Sequence, residues 1–390
     1  MNALTRTILA SDRSDIAPPP RVAIIHYWLI GMRGGEKVIE ALCRLYPDAD
    51  IFTHVYVPEK TSAALRAHRI ATSFISRLPW APKFYQRYLP LMPLALEQLD
   101  LRGYDLIISS ESGPAKGIIP PPGSLHICYC HSPMRYIWNM FHEYRDRAGF
   151  VTRLIMPLLA HYIRNWDAIS ASRVDYFVAN SQTVAARIRR YYRRDAEVIF
   201  PPVDVDAFDR LPSDKIGDFH LMAGELVRYK RPELAVEAFN ASGEKLVVIG
   251  GGEMLAHLRK IAKPNVTIMG PQPFSVLKDH YARCRALIFP GEEDFGIVPV
   301  EAMASGRPVI AYGRGGATET VIDGVTGVFF AEQTSDAIRD AVSRLDGLTL
   351  DSEAIAAHAR NFSSALFEER MRAHVARLMK AEAEADLGRG

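Results

Sequence analysis

Glu293 and Glu301 stand with seven residues between them, inside the stretch PGEEDFGIVPVEAMASGRPVIAYGRGG that runs from Pro290 to Gly316. The preceding run, RALIFPG, is apolar and of strand length, so Glu293 falls on the loop at a strand's carboxyl end. DFGIV then enters a helical pattern that carries Glu301 in its first turns. Free backbone N–H groups at a helix entry point one way, and the helix dipole adds partial positive charge. That entry is therefore a seat for phosphate, with an acid on either side. Glu293 is placed to touch a hydroxyl-bearing group beyond one end of the phosphates, and Glu301 a hydroxylated group beyond the other. A sugar–diphosphate–ribose ligand has that layout. A loop acid followed by an ordinary N-terminal helix acid gives the same pattern, and the stretch alone does not separate the two.

Other residues of the right chemistry fall at comparable places. RYKR (Arg228–Arg231) follows the strand-like LMAGELV, where its cations could neutralise a leaving diphosphate. A solvated basic turn is the plain alternative. VIGGGE (Val248–Glu253) puts three glycines after a strand and allows close backbone approach, although a glycine triplet is a weak signal by itself. Gly34 and Gly35 close the first strand-to-helix turn. HICYCH (His126–His131) has a metal-like look, but a strand would send Cys128 and Cys130 to one face and Ile127, Tyr129 and His131 to the other. No second Cys/His pair has zinc spacing. The D-x-D triplets at Asp48–Asp50 and Asp204–Asp206 fall in a turn and a linker, so no metal and no cofactor is expected.

The elements that position these residues alternate. RVAIIHYWL, DLIISS, LHICYCH and RVDYFVANS read as strands, and IGMRGGEKVIEALCRLYP and QTVAARIRRYY as a turn-and-helix and a helix. A second series follows: FHLMAG, KLVVIGGG, RALIFPG and RPVIAYG as strands, RPELAVEAFN and VPVEAMASG as helices. Such alternation means parallel sheets covered by helices on both faces. The series restarts after the Pro-rich VIFPPVDVDAF (198–208). The expected architecture is α/β, with two Rossmann-like domains facing across a cleft. Their bounds are read as a lead at 1–20, a first domain at 21–200, a second at 201–365, and a C-terminal helix and tail at 366–390 returning to the first domain. Ligands of such sheets sit at the carboxyl ends of the strands, which places the site between the domains.

Composition excludes several classes. A net charge of +2 is too small for wholesale nucleic-acid binding, and four cysteines make no secreted disulfide framework. The N-terminal twenty residues lack an apolar core and cleavage site, so no signal peptide is read, and no apolar run reaches membrane-spanning length. A dehydrogenase is disfavoured because the first turn reads IGMRGGEK rather than G-x-G-x-x-G.

Taken together, EDFGIVPVEAMASGRPVIAYGRGGATETV, GELVRYKRPELAVEAF, VIGGGE and HSPMRYIW resemble glycosyltransferase family 4, over about Arg21 to Phe367. The resemblance implies retaining enzymes of the GT-B fold. It implies that Glu293 contacts the transferred sugar, Glu301 binds the nucleotide ribose, and the amides of Phe295, Gly296, Ile297 and Val298 hold sugar and diphosphate. Lys230 matches the cation on the diphosphate, Gly34 and Gly35 the N-terminal loop over the phosphates, and His131 the histidine that reaches the sugar from the first domain. Where the family often has arginine, this chain has Glu225, and Arg228 or Arg231 is the candidate substitute. GGEKVIEALCRLYPDADIFTHVY and YCHSPMRYIW are most similar to bacterial mannosyltransferases of exopolysaccharide and O-antigen (lipopolysaccharide) assembly. That implies GDP-mannose as donor and a polyprenyl-diphosphate-linked sugar, such as a cellobiosyl-diphosphopolyprenol, as acceptor. A UDP-hexose donor and a non-catalytic sugar- or nucleotide-binding protein are the alternatives.

Residues 61–96 hold five Lys/Arg, no Asp or Glu, and many aromatics and leucines, and a second basic-apolar stretch spans 145–166. Both suit an anionic membrane surface, and helices packed on the sheet with a basic rim are the alternative. The expected location is cytoplasmic, peripheral on the inner face of the plasma membrane.

Overall fold

In the computed structural model, residues 19–387 are described. The lead expected at 1–20 lies outside them except for Pro19 and Pro20. Two all-parallel sheets form. The first has seven strands in the order β3-β2-β1-β4-β5-β6-β7: β1 (Val22–His26), β2 (Asp50–Thr53), β3 (Ile70–Thr72), β4 (Leu106–Glu111), β5 (Leu125–Cys130), β6 (Tyr176–Ala179) and β7 (Ala196–Val198). The second has six in the order β10-β9-β8-β11-β12-β13: β8 (His220–Ala223), β9 (Leu246–Ile249), β10 (Val266–Gly270), β11 (Leu287–Phe289), β12 (Val309–Tyr312) and β13 (Gly327–Phe330). This is the two-domain α/β architecture expected from the sequence.

Strands β1, β4 and β5 are buried at every residue, as apolar runs covered on both faces must be. Their register sets Ile24 beside Ile108, and Ile108 beside Ile127. The strand alternation at LHICYC is seen directly. Ile127 and Tyr129 pack in the core with Leu42 and Val178, whereas Cys128 and Cys130 pack with Val174 and Phe177 on the other face. All four cysteines are free and buried.

The strand order reverses direction between β1 and β4, and again between β8 and β11. At these switch points the loops after adjacent strands splay apart and open a crevice. The two crevices face each other. Ser181 Oγ donates to the Asp294 carbonyl at 2.6 Å, and the Glu319 carboxylate accepts from the amides of Gln182 (2.7 Å) and Thr183 (2.9 Å). An acid of the second domain thus sits on the N-terminus of helix Gln182–Tyr192 of the first, where the helix dipole favours it.

The chain crosses from one sheet to the other beside its own return. Val203 N donates to Phe362 O at 3.0 Å, and Ser364 N to Val203 O at 3.0 Å. Helix Ser364–Leu387 then lays Phe367, Met371, Val375 and Leu378 into the core of the first sheet. Each such side chain stabilises by about 1.5–3 kcal/mol on burial. Tyr176 Oη also donates to Glu382 (2.9 Å), which fixes the helix along the sheet.

Candidate active site

A cleft of about 1020 Å³ lies between the domains. Its floor on the second side is built from the loops after β8, β9 and β11. The loop after β8 ends in the 3-10 turn Arg228–Lys230. Lys230 Nζ lies 2.9 Å from Glu293 Oε1, and each side chain is under one-fifth exposed. Burial is the largest single influence and would lower the Lys230 ammonium, but Glu293 together with Tyr229 and Glu225 turns the net shift upward. Among the described residues neither Glu293 carboxylate oxygen has a partner beyond the contact with Lys230, and the buried Oε1 is the oxygen that faces it.

Beside it, helix Ile297–Ala304 begins at Gly296, which sits at φ +88°, a left-handed conformation that glycine adopts without strain. The amides of Phe295, Gly296, Ile297 and Val298 make no protein hydrogen bond among the described residues, and all four residues line the cleft. These are the open donors of a helix entry. On the opposite wall helix Gly34–Leu45 also points its N-terminus inward. A Cβ on Gly34 would meet Ile297 Cδ1 at 2.8 Å, so the side chain of one helix entry reaches the glycine of the other and would have to shift for a larger residue there.

His131 lies at the end of β5, on the first-domain wall. Its Nε2 is 2.8 Å from Ser110 Oγ, which is 3.1 Å from His26 Nδ1. Burial pushes His131 down to about 4, against the pull of Asp294. It is a neutral imidazole at physiological pH, able to hydrogen-bond a sugar hydroxyl without adding charge.

Glu301 stands lower in the same helix and does not line the cleft surface. Tyr281 Oη donates to its Oε2 at 2.8 Å. Burial raises the carboxyl to about 7, offset in part by Tyr281 and Lys230. Glu293 and Glu301 therefore have separate partners, and they do not form a paired acid and base across one bond.

Arg228, like Glu301, does not line the cleft. Its guanidinium is exposed and lies 3.7 Å from Glu253. Arg231 turns to Glu233 at 3.6 Å. The cation that does face Glu225 comes from the other domain: Arg33 Nη2 is 3.9 Å from Glu225 Oε1, and both line the cleft. Arg33 was not singled out in the sequence, although it directly precedes Gly34 and Gly35. Its amide donates to Glu36 Oε2 (3.0 Å), so the helix entry is capped through the Arg33 backbone while the guanidinium reaches Glu225. Asp294 was also missed. It pairs with Arg187 and, at 3.4 Å, with Arg135, so the loop carrying Glu293 is tied to the first domain.

A separate depression of about 860 Å³, lined by Asp209, His220, Arg285 and Glu353 among others, opens at the amino ends of the second sheet's strands. Ligands of parallel α/β sheets bind at the other end, and none of the residues above reaches it.

The geometry agrees with comparisons to known proteins. A family model described as Glycosyltransferase Family 4 matches residues 32–207, and one described as Glycosyl transferases group 1 matches residues 206–361. The chain therefore carries the two domains of a GT-B glycosyltransferase. Among curated relatives, the D-inositol 3-phosphate glycosyltransferase of Mycolicibacterium paratuberculosis is 31% identical over 48% of this chain and 49% of its own. The chain thus spans about half the length of the first curated relatives it matches. The human alpha-1,3/1,6-mannosyltransferase ALG2 is 25% identical over 94% of this chain and 98% of its own. A GDP-mannose-dependent alpha-(1-6)-phosphatidylinositol monomannoside mannosyltransferase of Mycobacterium tuberculosis is 37% identical over 26% of this chain and 30% of its own. The crystal structure of Anabaena Alr3699/HepE in complex with UDP and glucose superposes with a TM-score of 0.67 at 16% identity, covering 92% of this chain and all of that one, which speaks for the fold.

Proposed function

We propose that the protein is a retaining glycosyltransferase that moves mannose from GDP-mannose onto a polyprenyl-diphosphate-linked oligosaccharide, in bacterial exopolysaccharide or lipopolysaccharide assembly. One observation carries the reading: the Lys230–Glu293 pair beside the open amides of residues 295–298, at the carboxyl ends of β8 and β11. Mannose is supported by the human relative, similar over nearly the whole chain, and GDP by the shorter match to the Mycobacterium tuberculosis enzyme.

In this reading the diphosphate displaces Glu293 from Lys230. Lys230 and the open amides take the phosphates, and Arg33 closes on them from the far wall. Glu293, released, accepts from sugar hydroxyls, His131 hydrogen-bonds the sugar from the first domain, and Glu301 accepts from the ribose. The acceptor hydroxyl oxygen bonds to the anomeric carbon as the carbon–phosphate oxygen bond breaks on the same face. The acceptor's proton passes to the leaving phosphate oxygen, and nucleoside diphosphate departs. The protein's work is positioning and charge stabilisation, with no metal required. Residues 21–200 would hold the acceptor and 201–365 the donor, with residues 61–96 against an anionic membrane on the cytoplasmic side.

A UDP-hexose donor is the second reading, favoured by the UDP and glucose bound in the Anabaena structure. Binding and hydrolysis of GDP-mannose, UDP-glucose, UDP-galactose and UDP-GlcNAc, with EDTA present, tests both. Selective binding of GDP-mannose, lost in Lys230→Ala and turned over only with Glu293 intact, is the expected result. Preference for a UDP-sugar sinks mannose and keeps the transferase, and no binding of any donor sinks both.

A further inference from the structure

Three adjacent strands of the first sheet carry one chain of polar side chains to the cleft wall. Parallel register sets His26, the last residue of β1, beside Ser110 of β4, and Ser110 beside Tyr129 of β5. Side chains two residues apart on a strand share a face, so His131, just past the end of β5, follows Tyr129 onto the face of Ser110. Ser110 Oγ stands between two imidazoles, 3.1 Å from His26 Nδ1 and 2.8 Å from His131 Nε2. Ser110 and His26 are buried, whereas His131 reaches the cleft. Burial, and then the neighbouring His131, holds His26 well below its ordinary value, so both rings are neutral.

A neutral imidazole has one N–H and one bare nitrogen, and a serine hydroxyl has one proton. Ser110 can therefore donate to one ring only. Among the described residues its hydroxyl has no partner besides the two rings. If it accepted from both, its own proton would be buried without an acceptor. Two arrangements remain. In the first, His26 Nδ1–H donates to Ser110, Ser110 donates to His131 Nε2, and His131 carries its proton on Nδ1. In the second, every bond is reversed: His131 Nδ1 is bare, and His26 has an N–H at Nε2.

The two ends of the chain favour the first arrangement. His26 Nε2 is buried and has no partner among the described residues. Helix Gly34–Leu45 starts over this ring: a Cβ on Gly35 would lie 3.3 Å from His26 Cε1. The positive end of a helix favours a bare nitrogen there over an N–H. At the other end, His131 Nδ1 has no partner among the described residues and is not buried, so it opens on the cleft. Asp294 lines that cleft and its carboxylate attracts positive charge on this ring. An N–H turned to the cleft has the polarity that carboxylate stabilises.

We infer that His26 and Ser110 are positioning residues that hold His131 as the Nδ1–H tautomer, so that it offers the cleft a hydrogen-bond donor. The group it recognises is then an oxygen lone pair and not a hydroxyl proton. Glu293, across the cleft, can only accept when ionised. The two walls thus grip hydroxyl groups in opposite senses, and a sugar hydroxyl that gives its proton to one can take a hydrogen bond from the other. That the oxygen belongs to a transferred sugar rests on the transferase reading; the tautomer does not.

The test labels the full chain with ring-15N histidine and records long-range proton–nitrogen correlations at pH 7.5, which separate bare from protonated ring nitrogens. Loss of signals in His131→Ala and in His26→Leu assigns the two rings. In wild type both should show a protonated Nδ1 and a bare Nε2. Ser110→Ala should move the His131 proton to Nε2 in much of the population, and Ser110→Thr, which keeps the hydroxyl, should restore the wild-type pattern. His26→Leu frees the hydroxyl to turn and should show both forms of His131. Donor hydrolysis should fall about fivefold in Ser110→Ala, as for one lost hydrogen bond between neutral groups. In a His131→Ala background the same substitution should cost nothing further, a non-additivity that a merely structural role would not give. The inference is overturned if wild-type His131 carries its proton on Nε2 or on both nitrogens. It is also overturned if His131 stays Nδ1–H in both Ser110→Ala and His26→Leu, or if Ser110→Ala costs fivefold on top of His131→Ala. Should a variant fail to fold, the wild-type spectrum still decides the tautomer. The expected tautomer beside failed binding of every nucleotide sugar would sink the transferase reading and leave this one standing.

Discussion

Glu111 and Glu293 occupy equivalent places in the two halves. Glu111 ends β4 and Glu293 follows β11, and each of those strands lies just past the point where its sheet reverses order. Each carboxylate meets a lysine. Lys116 Nζ is 3.2 Å from Glu111 and also bonds Asp167, with all three side chains fully buried. Glu111 accepts from the amides of Ala115 (2.9 Å) and Lys116 (2.8 Å), and Asp167 accepts from Trp138 (2.7 Å) and Tyr192 (2.9 Å). Each of the four carboxylate oxygens around this lysine has a partner. At Glu293 the same pair stands alone on a cleft wall with capacity left over. The lesson is that a lysine–carboxylate pair becomes a site through what it leaves unbonded and reachable; satisfied on all sides, it is scaffold.

The largest test of that difference is Lys116→Ala. It strands two carboxylates in the core, and a loss of about 3–5 kcal/mol is expected, read as a lower urea midpoint or failure to fold. Lys230→Ala should do the reverse. Its urea midpoint should stay close to wild type, while donor turnover falls about 100- to 1000-fold, the range seen when one charge-stabilising donor is removed.

Glu301 gives a pH test. Its folded value of about 7 lies above the ordinary 4.5, so its contribution to stability is complete below 4.5 and is lost as pH rises through 7. Ribose binding needs the ionised form, so donor affinity should run the opposite way, weakening about tenfold per unit below pH 7. Titration calorimetry should show that slope in wild type and its loss in Glu301→Gln. Arg33→Ala should raise the donor KM about fivefold with kcat less affected, matching one partly exposed cation worth about 1 kcal/mol. Arg228→Ala should change neither KM nor stability by more than about 0.5 kcal/mol, because its ion-pair partner among the described residues, Glu253, is on the surface.

Much of both halves could be read from the chain. QTVAARIRRYY is a helix at Gln182–Tyr192 as read, because Ser181 caps it and Val184, Ile188 and Tyr192 recur on its buried face. Glu293 and the RYKR turn fell at strand ends by pattern, the resemblance singled out Lys230 and the four amide-bearing residues, and these share one cleft with Glu293. The strands β2, β3, β7, β10 and β13 went unread. They are three to five residues long, and β3, β7, β10 and β13 are outermost or next to it, where one face is half-exposed and alternation blurs. Arg228 and Lys230 could not be told apart because they share one 3-10 turn. Two residues apart at three residues per turn, they must face different ways, and only the fold shows which faces inward. Arg33 and Asp294 gain their meaning from the approach of two domains, and Asp294 meets Arg187 across 107 residues of sequence. No local pattern carries such a contact.

The pairing of Val203 with Phe362 and Ser364 has a consequence for synthesis. The second domain is a parenthesis in the first: it opens at Val203 and closes at Ser363, and only then does the chain supply Phe367, Met371, Val375 and Leu378 to the earlier core. Translation proceeds from the N-terminus, so the half made first is the half completed last. A nascent chain that has emerged only as far as the linker holds a seven-stranded sheet with one flank bare. The donor-side domain, enclosed within the parenthesis, can finish its own core while its elder neighbour waits on the ribosome for the final helix.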